Sequence, residues 1–518
     1  MEGSGKRQRP EDEKEQNEPD SFLKPISPPR KKVRDVNLIS SPWQLTWIRD
    51  LPENLNRDAI TLKDILGDPL ISECWEFNYL HDINFLMDAF DPDTKHLVKV
   101  HVVHGFWKRE DPRLHNLQAQ ALLYPNVRLH ASPMPEMFGT HHSKMMIILR
   151  HDDTAQVIIH TANMISKDWT NMTNAVWKSP ILPLATASES GGPGGLLDYQ
   201  SLAVGDRFKV DLLSYLKAYD QRKITCRPLA NTLDKYDFSH VRAALIASIP
   251  GRHSVHDQSE TAWGWASLRR CLRRVPCQPG DAEIVAQVSS IATLGATDSW
   301  LKGTLLSSMS KSSSTNAKQP EYKIVFPTAA EIRQSLDGYG SGGSIHTKVQ
   351  SKQQIKQLEY MRPIFHHWAN VNVETSDDEA TDSTPIYGDS GRALAAPHIK
   401  TYVRYNDRTI DWALLTSANI SKQAWGEGNQ SSAEIRIASW EIGVLVWPDL
   451  LEPQSVMVPS FQSDKPKKPG WEHNGNTSVI GLRMPYDMPL KRYGRSETPW
   501  VATWTYTEPD CLGQTWGG

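Results

Sequence analysis

Cysteine is scarce in this sequence: five stand in 518 residues, at Cys74, Cys226, Cys271, Cys277 and Cys511. Their number is odd, their spacing is irregular, and no Cys-x-x-Cys occurs. That excludes a disulfide framework or a thiolate zinc site as the organising feature and predicts a reducing compartment. Long apolar runs are also missing. None approaches the ~20 residues of a membrane span, so no membrane role is expected, and no secretory signal opens the chain. Neither sign of charge dominates, the net being −3, so a basic groove is allowed but not demanded. What is present is a hydrophobic content of 39% and 18 tryptophans, which indicates a folded globular chain. Its length exceeds one ordinary core, so two domains or a duplicated architecture are expected.

Residues 1–36 are polar, charged and proline-rich, and read as a disordered tail. Two basic clusters lie in it, Lys6-Arg7-Gln8-Arg9 and Arg30-Lys31-Lys32-Val33-Arg34, with the pattern of a nuclear import signal, so the nucleus is the expected location. Ser27-Pro28 is a candidate modification site in the same tail. Order is expected from about Trp43. Strands are predicted at 97–105, 145–150 and 155–163, the last two joined by a polar turn at His151-Asp152-Asp153. A helix is predicted at about 205–220. Near residue 230 the pattern restarts, with strands at RAALIASIP, 399–405, 411–419 and 441–448. We therefore divide the chain into 37–231 and 232–518, two similar α/β halves. Ser307–Lys318, Asn372–Asp389 and Pro453–Thr477 read as surface loops.

At residues 139–150, GTHHSKMMIILR, titratable groups precede an apolar run. They could be a satisfied turn, a metal pair, or a nucleophile with a charge clamp. A His-x-Lys triplet alone is weak, since about one is expected by chance at this histidine content. Three occur: His142-Ser-Lys144, His346-Thr-Lys348 and His398-Ile-Lys400. Two of them have company. Lys144 to Asn163 and Lys400 to Asn419 are both separations of 19 residues. Each Asn follows an alanine and a hydroxyl residue (Thr161, Ser417), precedes Ile-Ser-Lys, and has a Trp six residues on (Trp169, Trp425). The third triplet has no Ala-Asn at that distance, and its Gly342-Gly343-Ser344 flank reads as a loop, so His346 and Lys348 are set aside.

The duplicated unit is strand–turn–strand with polar groups at one mouth, and side-chain alternation brings His, Lys and Asn together. Two His, two Lys and two Asn converging from two halves make a site with no carboxylate, which suits an anion: lysine supplies point charge and the amide supplies directional donors. Such donors fit the equatorial oxygens of a phosphoryl group in transit. One imidazole can attack phosphorus while the other protonates the leaving oxygen, though the repeat alone does not say which. The lack of clustered Asp and Glu speaks against a two-metal mechanism. The bland reading is a structural repeat whose polar ends cap strands.

Paired His-x-Lys…Asn units resemble the phospholipase D superfamily. Its ordinary members carry an Asp five residues after the Lys, where Leu149 and Tyr405 stand here. The variant without that Asp resembles the tyrosyl-DNA phosphodiesterases, and FNY (77–79), VHG (103–105), FGTHHSKMM (138–146), HTANMISKDW, VAQVSSIATLG (285–295), PHIKTYVR, TSANISKQAWG and SWEIGVL (439–445) follow that family in its order. The resemblance covers essentially residues 40–518. It implies two α-β-α halves related by a pseudo-two-fold, with the active site between them. It implies hydrolysis of a 3′-phosphotyrosyl bond between DNA and a topoisomerase-derived peptide through a phosphohistidine, leaving a 3′-phosphate, and possible action on other 3′ adducts is part of that expectation. His142 is then the nucleophile and His398 the general acid and later base. Lys144, Lys400, Asn163 and Asn419 hold the phosphate, and Glu441 orients an imidazole. Tyr79 and Phe138 match aromatic positions beside DNA, and Ser289 and Ser290 match a DNA-phosphate loop. Asn174 stands where the family has Gln, and Trp500 and Trp504 receive no role. The implied partner is a single- or double-stranded DNA 3′ end bearing a tyrosyl peptide. The chain is expected to be a monomer with no metal or cofactor. The alternatives are a general nuclease or phospholipid phosphodiesterase on the same fold, or an inert DNA-end binding module.

Overall fold

The computed structural model describes residues 36–186, 199–221, 223–258, 260–315, 318–370, 388–467 and 477–517. The basic clusters of the tail, Ser27-Pro28 and most of the 372–389 loop lie outside them.

The first half holds β1 (Trp43–Leu45), β2 (Ile71–Phe77), β3 (Lys99–His104), β4 (Val127–Ala131), β5 (Met145–Arg150), β6 (Ala155–His160) and β7 (Ala175–Lys178). They form one sheet in the order β1-β7-β6-β5-β2-β3-β4. The strands β2, β3 and β4 run parallel, joined by helices Ile83–Asp88 and Pro112–Ala121. β5, β6 and β7 are antiparallel neighbours. The second half holds β8 (Ala244–Ser248), β9 (Ala282–Gln287), β10 (Glu321–Val325), β11 (Phe365–His366), β12 (Thr401–Asn406), β13 (Thr409–Thr416) and β14 (Glu441–Val446). Their pairing order, β8-β14-β13-β12-β9-β10-β11, repeats the first sheet strand for strand, with the same parallel and antiparallel senses. The duplication seen in two motifs is thus a duplication of the whole sheet.

The second sheet is longer. β13 runs past its partner β14, and its free end pairs with β15 (Ser455–Ser460), followed by β16 (Ser478–Arg483). The stretch 453–477, expected to be loop, therefore contains a strand. Pro453 and Pro459, with the polar residues around them, hide it, since proline within a run argues against a strand. The short strand Leu38–Ile39 pairs with β16, so the first described residues belong to the second sheet. The division at 231/232 likewise falls inside helix Arg227–Leu233. Helix Val204–Lys217, expected to close the first half, shares one core with β8 of the second.

Alternation along β5 explains why the sequence there is apolar without a break. Met145, Ile147 and Leu149 enter a core shared by both halves, while Met146 and Ile148 enter a second core under the helices of the first half. A strand buried on both faces has no polar side to show. The loop back into β6 turns at Asp153 with φ 59°, and the equivalent β12–β13 turn has Asp407 at φ 51°, left-handed positions that Asp tolerates. No described helix is long and apolar enough to cross a membrane.

Candidate active site

The mouths of β5–β6 and β12–β13 meet because each half grips the strand ends of the other. The amide of His142 donates to the Trp440 carbonyl at 3.0 Å, and the amide of His398 donates to the Thr173 carbonyl at 3.0 Å. Trp440 immediately precedes β14, and Thr173 lies just before β7, the matching strand. Close approach is required for this. A Cβ on Gly139 would lie 1.9 Å from the Ala438 carbonyl oxygen, so only glycine lets the loop before His142 pass.

The same cross-over orients the imidazoles. His142 Nδ1 is 2.9 Å from Glu441 Oε2. His398 Nδ1 is 3.2 Å from Asn174 Oδ1. Glu441 and Asn174 occupy equivalent places, each just after the carbonyl that holds the partner histidine. Each is steadied by the hydroxyl two residues before the motif asparagine: Ser417 donates to Glu441 Oε2 at 2.5 Å and Thr161 donates to Asn174 Oδ1 at 2.9 Å. With Nδ1 engaged, Nε2 is the nitrogen of each ring left to meet a substrate.

Lys144 and Lys400 are fully buried. Lys144 Nζ donates to the His142 carbonyl at 3.2 Å, and Lys400 Nζ donates to the His398 carbonyl. Burial pushes Lys144 down to about 8, opposed by Glu441, Asp168 and Glu76. Burial, then the neighbouring Lys144, drives Lys400 well below the ordinary lysine range. Both imidazoles are likewise held low, first by burial; the Glu441 charge opposes this at His142, and the Lys400 charge adds to it at His398. Two crowded, dehydrated ammonium groups make a site whose electrostatics are completed by an anion.

Asn419 is fixed by the loop after β9. Its Oδ1 accepts from the amides of Ser289 and Ser290 at 3.1 and 2.9 Å, which turns its Nδ2 the other way. Ser289, expected at a DNA phosphate, is buried and its hydroxyl points inward at the same Oδ1, at 3.4 Å. Asn163 is buried in the equivalent position, its backbone N–H donating to Asp168 Oδ2 at 2.7 Å. The Tyr79 ring lies 5.9 Å from the His142 ring, with Arg113 donating to its hydroxyl at 3.4 Å. Phe138 is 78% exposed at the surface.

Five residues answer the remaining sequence questions. His141 is a satisfied core histidine, its Nδ1 on the Asn78 carbonyl at 2.8 Å and its Nε2 on the Tyr219 hydroxyl at 2.9 Å. Leu149 and Tyr405, where the superfamily Asp is missing, both enter the shared core, and the Tyr405 hydroxyl meets that of Tyr486 at 2.8 Å. His346 lies on no motif strand, as its missing asparagine implied, but it is not remote. Its backbone bridges Ser290, and Lys400 is among the charges that lower it. Trp500 is core, its indole N–H on the carbonyls of Gly342 and Ile345.

Sequence reasoning missed two carboxylates. Glu76 is buried against His81, Oε2 to Nδ1 2.8 Å, and is one of the charges that keep Lys144 protonated. Asp168 is fully buried with Oδ2 3.1 Å from His398 Nδ1. The motif had suggested a site free of carboxylates, whereas Glu441 and Asp168 stand behind the two imidazoles. The signal for Asp168 was present as a mismatch between the repeats: five residues after its asparagine, the second half has Ala424. Among the described residues, no group of three or more His, Cys, Asp or Glu is arranged to hold a metal ion.

Comparison with known proteins fits this geometry. The profile of the family described as tyrosyl-DNA phosphodiesterase matches residues 42–494. A probable tyrosyl-DNA phosphodiesterase of Schizosaccharomyces pombe is 30% identical, the match covering 96% of this chain and 99% of that protein. Tyrosyl-DNA phosphodiesterase 1 of Arabidopsis thaliana is 28% identical over 95% of this chain and 78% of its own. The crystal structure of the yeast tyrosyl-DNA phosphodiesterase superposes with a TM-score of 0.63 at 20% identity, covering 90% of this chain and 99% of that one, and shares the fold. The chain belongs to the tyrosyl-DNA phosphodiesterase family.

Proposed function

We propose that this protein hydrolyses the bond between a DNA 3′-phosphate and the tyrosine of a topoisomerase-derived peptide, in two steps on opposed histidines. His142 Nε2 attacks phosphorus, and the phosphorus–oxygen bond to tyrosine breaks. His398 gives the leaving phenolate a proton from its own Nε2. The DNA is then held as a phosphohistidine, and Glu441 offsets the positive charge on that ring through Nδ1. His398, now neutral, takes a proton from water as the water attacks phosphorus, which frees His142 and leaves a DNA 3′-phosphate. Lys144, Lys400, Asn163 and Asn419 face the phosphoryl oxygens throughout, and the charge they meet is greatest in the transition state.

The observation that carries this reading is the crossed orientation of the imidazoles, His142 by Glu441 and His398 by Asn174, which leaves two Nε2 atoms on one buried cationic site. A binding module would not need both rings held by their outer nitrogens. Half-buried Tyr79 and exposed Phe138 support a DNA end as the ligand, since aromatic faces stack on bases whatever their sequence. The basic clusters of residues 1–36 support a nuclear address, which fluorescence imaging of the chain with and without those residues tests.

The test is a comparison of three substrates in excess chelator: an oligonucleotide with a 3′-phosphotyrosine, an unmodified oligonucleotide, and phosphatidylcholine vesicles. Release of tyrosine alone is expected. Faster attack on the plain strand or the lipid would replace this function with that of a nuclease or a phospholipid phosphodiesterase, and loss of turnover on chelation would remove the metal-free chemistry.

A further inference from the structure

The pseudo-two-fold relates nearly every polar group at the site, and Asp168 breaks it. Its Oδ2 lies 3.1 Å from His398 Nδ1, while Ala424 takes the matching place in the second half and brings no charge to His142. The symmetry-equivalent of Glu441 is Asn174, which is neutral. The amide of Asn174 fixes the His398 ring through an oxygen at 3.2 Å but supplies no charge.

His398 has the harder electrostatic task of the two histidines. To release a tyrosine it must carry a transferable proton on Nε2 while Nδ1 is also protonated, so it must be an imidazolium. The groups facing it are Lys400, Lys144, Lys167 and His142, all of which oppose that charge, and Asp168. Among the described residues, Asp168 is the one anion recorded in contact with the ring. Glu441 lies behind the other histidine. Asp168 Oδ1 is buried with no hydrogen-bond donor, so at that oxygen only the nearby cations offset the charge.

A structural role for Asp168 exists as well. Its Oδ2 accepts from the Asn163 backbone N–H at 2.7 Å and so staples the loop that carries Asn163. A neutral asparagine could serve that purpose equally well through its Oδ1. A carboxylate is needed only if its charge is used.

We infer that Asp168 is a positioning and charge-balancing residue for His398: its carboxylate, placed on Nδ1 beside Asn174, lets His398 hold the proton that it gives to the leaving tyrosine. This rests on the function proposed above. It divides the labour between the halves: Glu441 serves the nucleophile, Asn174 sets the angle of the acid, and Asp168 supplies the charge that Asn174 lacks.

The test uses the full chain and two oligonucleotides, one ending in a 3′-phosphotyrosine and one in a 3′-(4-nitrophenyl) phosphate, whose leaving group needs no proton. First-step rates are measured in single turnover. In Asp168→Asn, tyrosine release should fall at least ~10²-fold while nitrophenol release falls less than ~5-fold, because only the first draws on general acid catalysis. The ratio of the two rates is internal to each preparation, so a smaller folded fraction does not change it. An equal fall on both substrates, or no fall on either, would overturn the inference and leave Asp168 a loop staple. The exchange variant Asp168→Asn/Asn174→Asp keeps one carboxylate against the same nitrogen and carries the test if Asp168→Asn does not fold. Its rate ratio should lie within ~5-fold of wild type, since the acid again has its anion; a ratio far outside that range would overturn the proposal. If the wild-type chain releases neither tyrosine nor nitrophenol, the proposed function fails first, and this inference with it.

Discussion

His142 and Glu441 stand 299 residues apart in the chain and 2.9 Å apart in space. The bond defines the tautomer of the proposed nucleophile: with Nδ1–H donated to the carboxylate, the lone pair is on Nε2 and faces the site. Ser417 holds the same carboxylate oxygen from behind at 2.5 Å, so the pair is one member of a three-residue chain.

Glu441→Gln should therefore slow the first step by at least ~10²-fold, because an amide can donate to Nδ1 and turn the ring to the wrong tautomer, as loss of the carboxylate does in a Ser-His-Asp triad. Ser417→Ala should cost less, ~10-fold or under, since the carboxylate keeps its imidazole. Single-turnover rates on a 3′-phosphotyrosyl oligonucleotide measure both. A Glu441→Gln protein as fast as wild type would deny the tautomer its importance.

The two histidines should fail differently. Without the acid, a tyrosine phenolate with a conjugate acid of pKa ~10 leaves slowly, but without the base, water attacks the phosphohistidine more slowly still. His398→Ala should thus accumulate a covalent protein–DNA adduct on His142, visible as a slow band on a denaturing gel at neutral or alkaline pH. His142→Ala should show neither adduct nor product, and the double variant should match it because the residues act in sequence. An adduct in His142→Ala that maps to His398 would exchange the two roles and leave the fold as described.

Ser289 and Asn419 separate orientation from DNA contact. Two backbone amides already fix Asn419 Oδ1, and the Ser289 hydroxyl is a distant third at 3.4 Å. Ser289→Ala should leave both turnover and DNA affinity within ~3-fold, while Asn419→Ala should cost ~10²-fold in turnover, the scale of one lost transition-state donor. A large loss of affinity in Ser289→Ala, measured by fluorescence anisotropy with a 3′-phosphate oligonucleotide, would return that hydroxyl to the DNA.

The buried lysines give the pH dependence its sign. Burial brings Lys144 down to about 8, so above that pH the free protein loses a charge that the phosphate needs. An alkaline fall in kcat/KM is expected with a midpoint near that value, and the fall in kcat should lie higher, because a bound phosphodiester favours the ammonium form. Stability should move the other way. A lysine in the unfolded chain titrates near ~10.4, so between the folded and unfolded values the unfolded chain binds the extra proton, and this group makes stability rise with pH across that window. A kcat/KM profile flat through the whole window would place Lys144 outside the rate.

Much of this protein was legible before any coordinates. The strands at Met145–Arg150 and Glu441–Val446 were found because both are short apolar runs between turn signals. The six polar residues of the motif were found because a duplication repeats its spacing, and spacing survives when the rest of a sequence drifts. The strand Ser455–Ser460 was missed because it is held by pairing with Ser478–Arg483 and with the overhang of Thr409–Thr416, while its own proline-containing pattern does not mark it. The inward turn of the Ser289 hydroxyl was missed because a serine in a loop carries no mark of which way it faces.

By itself the sequence determined the repeat, the local strands and the kinds of group at their ends, since all of these are written in near-neighbour order. Only the tertiary structure decided which group serves which. The crossed partners, Glu441 to His142 and Asn174 to His398, depend on how one sheet is set against the other, and no local period encodes that placement. Asp168 shows the same limit most clearly. In sequence it is one acidic residue in a short helix, two residues past Ile-Ser in HTANMISKDW. Its meaning comes from burial and from a ring supplied by the opposite half, because a carboxylate deprived of water acts on whatever cation the fold brings within reach.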